Sequence, residues 1–280
     1  MDPLTGLGLL LTAAGAGLLG SMVGLGGGVF VVPIFSVFFG IPLKTAIAAS
    51  AVSVVVNSST GASVYLRHRM SNIRLALLML ITTTVGSIAG GLVAVGSSET
   101  ILRFIFALTL YGMIVVMARR AARPVPPPSP NDALGLTADY DDPAINSRVC
   151  YTPRRLRPGM AISAGAGVIS GMLGIGGGAV QVPAMNAIME VPVKAAAATS
   201  TFMVGPTVVA SALIFYLNDL IDPSVTAVAV VGMMLGAQTG ARLARHIRSG
   251  VLTRVLMVIL LYLATITVLQ ALGIHVPGAR

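Results

Sequence analysis

The sequence carries one motif twice, 150 positions apart, and both copies interrupt a membrane-length apolar stretch. The first reads Gly20-Ser-Met-Val-Gly-Leu-Gly-Gly-Gly-Val-Phe-Val-Val-Pro33 and the second Ser170-Gly-Met-Leu-Gly-Ile-Gly-Gly-Gly-Ala-Val-Gln-Val-Pro183. Placing residue n on residue n+150 from Gly17 to about Leu66 needs no gap. It pairs Gly17/Gly167, Met22/Met172, Gly24/Gly174, Gly26/Gly176, Gly27/Gly177, Gly28/Gly178, Val32/Val182, Pro33/Pro183, Pro42/Pro192, Lys44/Lys194, Ala46/Ala196, Ala48/Ala198 and Ser50/Ser200. So many identities in one register mark an internal duplication. Beyond Leu66 the halves are expected to diverge in loop length, with Val85-Gly-Ser-Ile-Ala-Gly90 resembling Val231-Gly-Met-Met-Leu-Gly236.

Both halves are built for lipid. The chain is 55% hydrophobic and only 10% charged, with mean hydropathy +0.91, against roughly 25% charged residues in soluble domains. Ten apolar segments fall in two sets of five: Leu4 to Val23, Val29 to Phe39, Thr45 to Leu66, Ile73 to Val95 and Ile101 to Ala118, then Met160 to Leu173, Ala179 to Met189, Ala195 to Leu217, Ser224 to Ala241 and Val251 to Ile274. A helix needs about 20 apolar residues to cross a bilayer. The segment after each glycine run is too short for that and predicts a half-helix or one arm of a re-entrant hairpin. The fold class is therefore an all-α polytopic membrane protein, with a first transmembrane repeat over 1–118, a linker over 119–159 and a second repeat over 160–280. The start, Met1 to Gly6, lacks the positive flank of a cleavable signal, so the first segment is expected to stay.

The charges give the halves opposite orientation. Arg67, His68, Arg69 and Arg74 fill one loop of the first half, and the matching loop of the second holds Asn218, Asp219 and Asp222. The next loop is Gly96-Ser-Ser-Glu99 in the first half, whereas its counterpart carries Arg242, Arg245, His246, Arg248 and Arg254. Under the positive-inside rule this swap means an inverted repeat, an architecture of many secondary transporters. The linker, with Pro124, Pro126, Pro127, Pro128, Pro130 and an excess of Arg over Asp, predicts a cytoplasmic, largely disordered tether, with both termini outside. The net charge of +9 is topological rather than a sign of nucleic acid. Cys150 is alone, which leaves no intramolecular disulfide and no cysteine metal cluster.

Helix breaks inside a bilayer survive only where they are buried in protein or line a polar cavity. Glycines permit such a break, and the half-helix that restarts beyond it offers free N–H groups and a positive dipole end. That is an anion site made without a charged side chain. The competing reading is that the glycines only let two helices cross closely. Candidate substrate-binding residues are Gly26, Gly27, Gly28, Gly176, Gly177 and Gly178, completed by Ser50, Asn57, Gln181, Thr199, Ser200 and Thr201. Ser53, Ser58 and Asn186 are further neutral polar positions in these segments. Such side chains serve equally as interhelical hydrogen bonds. Lys44 and Lys194 read either as snorkelling residues or as vestibule charges that attract anions. No acid, His or Cys constellation supports catalysis, and neither a metal nor a cofactor is expected.

At these residues the chain resembles the TauE/SafE family of sulfite exporters. The resemblance rests on Gly24-Leu-Gly-Gly-Gly28 with Pro33, on Gly174-Ile-Gly-Gly-Gly178 with Pro183, and on the small-residue helices after Lys44 and Lys194. It covers nearly the whole chain apart from the linker. It implies export of a small sulfur oxyanion or organosulfur anion, such as sulfite or a sulfonate, across the plasma membrane. The expected partners are that anion, the lipid bilayer and a second copy in a homodimer. A passive anion channel on the same scaffold and a non-transporting assembly factor remain the alternatives.

Overall fold

The computed structural model describes residues 3–120, 132, 134–247 and 249–271. The elements follow in order α1 (Pro3–Val23), α2 (Gly28–Phe38), α3 (Leu43–Arg67), α4 (Ile73–Gly96), α5 (Glu99–Arg120), β1 (Ala138–Asp142), β2 (Ser147–Tyr151), α6 (Leu156–Leu173), α7 (Gly178–Ala187), α8 (Val193–Leu217), α9 (Pro223–Ala244) and α10 (Ser249–Ala271). All ten apolar segments are helices. Among the described residues six of them, α1, α3, α4, α5, α8 and α9, are long and apolar enough to cross a bilayer.

The helices pack as two interlocked copies. α1 lies against α9 and its counterpart α6 against α4, while α3 packs on α8 and α5 on α10. The α1–α9 and α4–α6 contacts are made by glycines. A Cβ on Gly236 would stand 2.0 Å from Ala14 O and one on Gly240 2.2 Å from Leu18 O; on Gly86 and Gly90 it would stand 2.3 Å from Ala164 O and 2.0 Å from Val168 O. Small residues let backbones touch where lipid supplies no hydrophobic drive for association.

These contacts correct the expectation that the halves diverge past Leu66. Gly86 does to α6 what Gly236 does to α1, and Gly90 matches Gly240, so the offset of 150 continues through α4 and α9. The N-caps Asn72 and Asp222 and the left-handed residues Arg69 and Asp219 keep the same offset. The likeness of Val85–Gly90 to Val231–Gly236 is a shift by one helical turn, the spacing at which small residues recur on these helices.

The halves run in opposite directions. Asn72 N at the start of α4 donates to Thr199 Oγ1 near the start of α8, at 3.0 Å. At the end of α9, Arg245 Nη1 donates to His68 Nε2 at the end of α3, at 2.5 Å. α3 therefore ends at the level where α8 begins. One end of the molecule gathers Arg67, Arg69, Arg74, Arg154, Arg155, Arg157, Arg242 and Arg245, and the other holds Lys44, Glu99, Asp219 and Asp222.

Each short helix turns back. Phe39, just past α2, lies against α1 where a Cβ on Gly8 would stand 3.1 Å from its ring. Nearer the break, a Cβ on Gly20 would stand 2.1 Å from Gly27 N. α1 and α2 are thus the two arms of a hairpin that returns to its own side. In the second half Arg154 N donates to Met189 O at 2.9 Å, and Gly159 packs on the Met189 side chain. α6 and α7 form the same hairpin from the opposite end. Of the alternatives open in the sequence, the glycine pairs re-enter.

The linker departs from the expected tether over its second part. β1 and β2 pair antiparallel in the register Ala138↔Tyr151 to Asp142↔Ser147. The hairpin holds because it buries Tyr140, Tyr151 and Leu136 against the helix ends and turns at Asn146, φ 48°. It is also fastened: Asn72 Nδ2 donates to Leu136 O at 2.7 Å and Lys194 Nζ pairs with Asp142 Oδ1 at 2.7 Å. The proline run 124–130 lies outside the described residues.

Candidate functional site at the paired helix breaks

The two hairpin tips meet at the centre of the molecule. A Cβ on Gly28 would stand 2.7 Å from Gly174 O and 2.9 Å from Ile175 Cα, and one on Gly178 2.1 Å from Gly24 O and 2.8 Å from Leu25 Cα. Gly26 and Gly176 both face the Val54 and Val204 side chains of α3 and α8, the residues that the repeat places in equivalent positions. The tips touch across the pseudo-twofold axis, and all six candidate glycines are buried.

Each tip is tied down by the other half. Ser50 Oγ donates to Gly174 O at 2.9 Å and Ser200 Oγ donates to Gly24 O at 2.8 Å. These serines are equivalent by the repeat, and so are their acceptors. Both hydroxyl protons are committed to the opposite loop, which gives Ser50 and Ser200 a structural task at the breaks.

The helix starts are chemically open. Gly27 and Gly177, at φ 83° and 71°, are the N-caps of α2 and α7 and carry no side-chain cap. Gly27 O accepts from Phe30 N and Val31 N, and Gly177 O from Val180 N and Gln181 N. Among the described residues no acceptor meets the N–H groups of Gly26 to Val29 or of Gly176 to Ala179. Such groups carry the positive end of the helix dipole. Each of the nine acidic residues of the chain lies in the linker, in a loop, at a helix end or next to a terminus, so no carboxylate competes at the breaks.

Polar side chains at this depth divide into satisfied and unsatisfied groups. Ser53 Oγ donates to Ala49 O and Thr201 Oγ1 to Ala197 O within their own helices. Thr199 Oγ1 accepts from Asn72 N, the N-cap of α4, at 3.0 Å. Ser58 has a role that no sequence pattern marks. Its Oγ accepts from Gly205 N at 2.7 Å and donates to Thr201 O, so the hydroxyl is inserted into the i→i−4 ladder of α8 one residue before Pro206. Asn186 Nδ2 donates to Val191 O at 2.9 Å, beyond the end of α7.

Unsatisfied at zero exposure are both amide atoms of Asn57, Gln181 Nε2 and the hydroxyls of Ser87, Ser163 and Ser170. Asn57 Oδ1 lies beside Gly17, and Gln181 Nε2 and Ser170 Cβ lie 3.4 and 3.3 Å from where a Cβ on Gly177 would be. A buried polar atom without a partner costs about 1–3 kcal/mol. Two of the candidates chosen from sequence, Asn57 and Gln181, are in this set; Ser87, Ser163 and Ser170 were missed. Their signal was present as hydroxyls at positions where the other half has Ala237, Ala13 and Gly20.

The two lysines are used on helix ends. Lys44 Nζ donates to Val95 O at 2.8 Å and Lys194 Nζ to Arg245 O at 3.1 Å, equivalent carbonyls at the C-termini of α4 and α9. A cation at a helix C-terminus satisfies carbonyls and favours the dipole. Exposed positive charge is supplied instead by Arg155 and Arg157, which with Arg154 line a cavity of about 720 Å³ between α4, the linker and the start of α6.

The family model described as sulfite exporter TauE/SafE matches residues 9–267, from α1 into α10. The chain belongs to the TauE/SafE family. It is 25% identical over 258 residues to the probable membrane transporter protein YunE of Bacillus subtilis, covering 88% of this chain and 91% of that one. Over 228 residues it is 25% identical to the probable membrane transporter protein YdhB of the same bacterium, covering 81% and 85%. A probable membrane transporter protein of Methanocaldococcus jannaschii is 28% identical over 216 residues, covering 75% and 72%. No solved structure matches significantly. With its apolar helices and this family membership, the protein is a multi-pass membrane transporter.

Proposed function

We propose that the protein exports a small oxyanion, of the sulfite or organosulfonate class, bound where the hairpin tips meet. The observation that carries this reading is the set of N–H groups at the starts of α2 and α7 that lack acceptors deep in the bilayer, with no carboxylate near them. Oxygen atoms of a tetrahedral or pyramidal anion satisfy several such donors at once. The family description names sulfite, and sulfite has that shape and charge. The tips touch and the glycines are buried, an occluded arrangement that favours alternating access over an open pore.

Orientation follows from the arginines. The end bearing Arg67, Arg69, Arg74, Arg154, Arg155, Arg157, Arg242 and Arg245 faces the cytoplasm of a cell membrane, so the β-hairpin linker is inside and both termini are outside. An inside-negative potential then drives anion export, with about 2.3 kcal/mol per charge per 100 mV. A thermal-shift screen of the purified protein with sulfite, sulfate, thiosulfate, methanesulfonate and acetate tests the reading. It predicts concentration-dependent stabilisation by sulfur oxyanions, and stabilisation by acetate alone, or by none of them, contradicts it.

A further inference from the structure

The repeat makes the two breaks equivalent in backbone, but their surroundings are not equivalent. At the first break the Met233 side chain fills the space beside Gly27: its Cε lies 3.0 Å from where a Cβ would be. Gly20 lies against Gly27 N, Ala13 faces Gly232 along the α1–α9 seam, and the buried apolar residues Val31 and Ala237 stand where the repeat has Gln181 and Ser87. At the second break the corresponding residues are Thr83, Gln181, Ser170, Ser163 and Ser87. Gln181 and Ser170 flank Gly177 itself, within 3.4 Å of one point. Gln181 Oε1 is turned toward Ser200 Oγ, 3.5 Å away, which leaves Nε2 as the free end.

Each of these groups is wholly buried, and four lack a partner: Gln181 Nε2, Ser170 Oγ, Ser163 Oγ and Ser87 Oγ. Thr83 Oγ1 lies 3.1 Å from Thr207 Oγ1, the residue equivalent to Asn57. Among the other buried, unpartnered hydroxyls of the helices, Ser36 and Thr226 stand singly in α2 and α9. The unpartnered hydroxyls therefore gather along one seam, between α4 and α6, which leads to the second break. They are hydrogen-bond donors, as an oxyanion requires. On the first-break side the Asn57 amide sits beside Gly17 and the α9 backbone, and the buried Ser21 hydroxyl, on the α1–α9 seam at Gly240, is already spent on Leu18 O.

We infer that the anion is held asymmetrically, at the second break alone. Gln181 Nε2, Ser170 Oγ and the N–H groups of Gly177 and Gly178 bind its oxygens, and the first break is the closed, structural partner. This inference rests on the oxyanion reading above and adds which half carries specificity. The ligand class is a compact oxyanion with at least three acceptor oxygens, since the donors approach from α6, α7 and the glycine backbone.

The test uses the full-length protein in detergent and measures dissociation constants for sulfite, sulfate and methanesulfonate by calorimetry. Ser170→Gly and Gln181→Val give the second break the residues of the first. Each is expected to weaken oxyanion binding at least about tenfold, the loss of one charge-assisted hydrogen bond. Val31→Thr, which adds a hydroxyl at the position equivalent to Gln181 without changing volume, is expected to leave binding unchanged. Gln181→Met keeps the length of the side chain without its donor, so weak binding by a well-folded Gln181→Met variant separates lost contact from lost fold. Unchanged affinity in the second-break variants, or equal effects from Val31→Thr, overturns the asymmetry while the oxyanion reading stands. If no oxyanion binds the wild-type protein, the oxyanion reading fails, and this one with it.

Discussion

The contact between the hairpin tips can be tested with one methyl group. In Gly178→Ala the new Cβ would lie 2.1 Å from Gly24 O and 2.8 Å from Leu25 Cα. A carbon and a carbonyl oxygen in contact stand about 3.3 Å apart, so the tips must part by roughly 1 Å. Overpacking of this kind costs about 1–3 kcal/mol. Parting the tips also lengthens the Ser200 bond to Gly24 O, now 2.8 Å, a loss of about 0.5–1.5 kcal/mol. Against this, Ala gains up to about 1 kcal/mol over Gly in a helix. The net is a destabilisation of about 2 kcal/mol. Gly165→Ala is the control, because nothing lies within 4 Å of its new Cβ; it is expected to stabilise by up to about 1 kcal/mol. Thermal unfolding of both variants in detergent, beside a flux assay, gives the answer. If Gly178→Ala is as stable as Gly165→Ala, the tips do not touch and the packing argument fails.

The remaining predictions concern ties between the halves. Ser50→Ala and Ser200→Ala each orphan a buried glycine carbonyl and are expected to cost about 1–3 kcal/mol, with Ser200→Ala the costlier because Gln181 Oε1 faces the same hydroxyl; midpoints unmoved in both would contradict this. Lys194→Met strands Asp142, whose side chain is 7% exposed, and breaking such a buried pair costs roughly 3–5 kcal/mol. Adding Asp142→Leu is expected to restore much of that loss in the thermal midpoint. His68 has its pKa lowered below 6.5 by partial burial first, then by Arg245 and Arg67. A group depressed in the folded state contributes stability that is present above the unfolded value and lost as pH falls through the folded one. Acidification from about pH 8 to about pH 5 is therefore expected to lower the midpoint more for wild type than for His68→Gln.

The architecture was legible because its determinants are local and repeated. Gly24 to Gly28 and Gly174 to Gly178 announce the breaks, and the arginine distribution announces the inversion. The continued register was not legible, since Gly86 and Gly90 can be matched to Gly232 and Gly236 as easily as to Gly236 and Gly240. Only the helix that each glycine touches decides. The linker hairpin was hidden by composition: the prolines before it signal disorder, while Tyr140 and Tyr151 fold back because helix ends are there to bury them. At the candidate site, residue type identified polar positions but not their use. Ser50 and Ser200 are spent on carbonyls, Ser58 on a helix ladder, and Lys44 and Lys194 on helix ends. Ser163 and Ser170 differ visibly from Ala13 and Gly20 of the other half, but that their hydroxyls lack partners is a fact of packing that no sequence comparison carries.

Under this proposal a small oxyanion moves through the paired breaks. The most direct test is sulfite flux from proteoliposomes containing the purified protein, under an imposed potential negative on the sulfite-loaded side. Saturable efflux is expected, accelerated by the potential, competed by methanesulfonate and abolished by a bulky residue at Gly177. Efflux no faster than from protein-free liposomes, or undiminished in a folded Gly177→Leu variant, would contradict it.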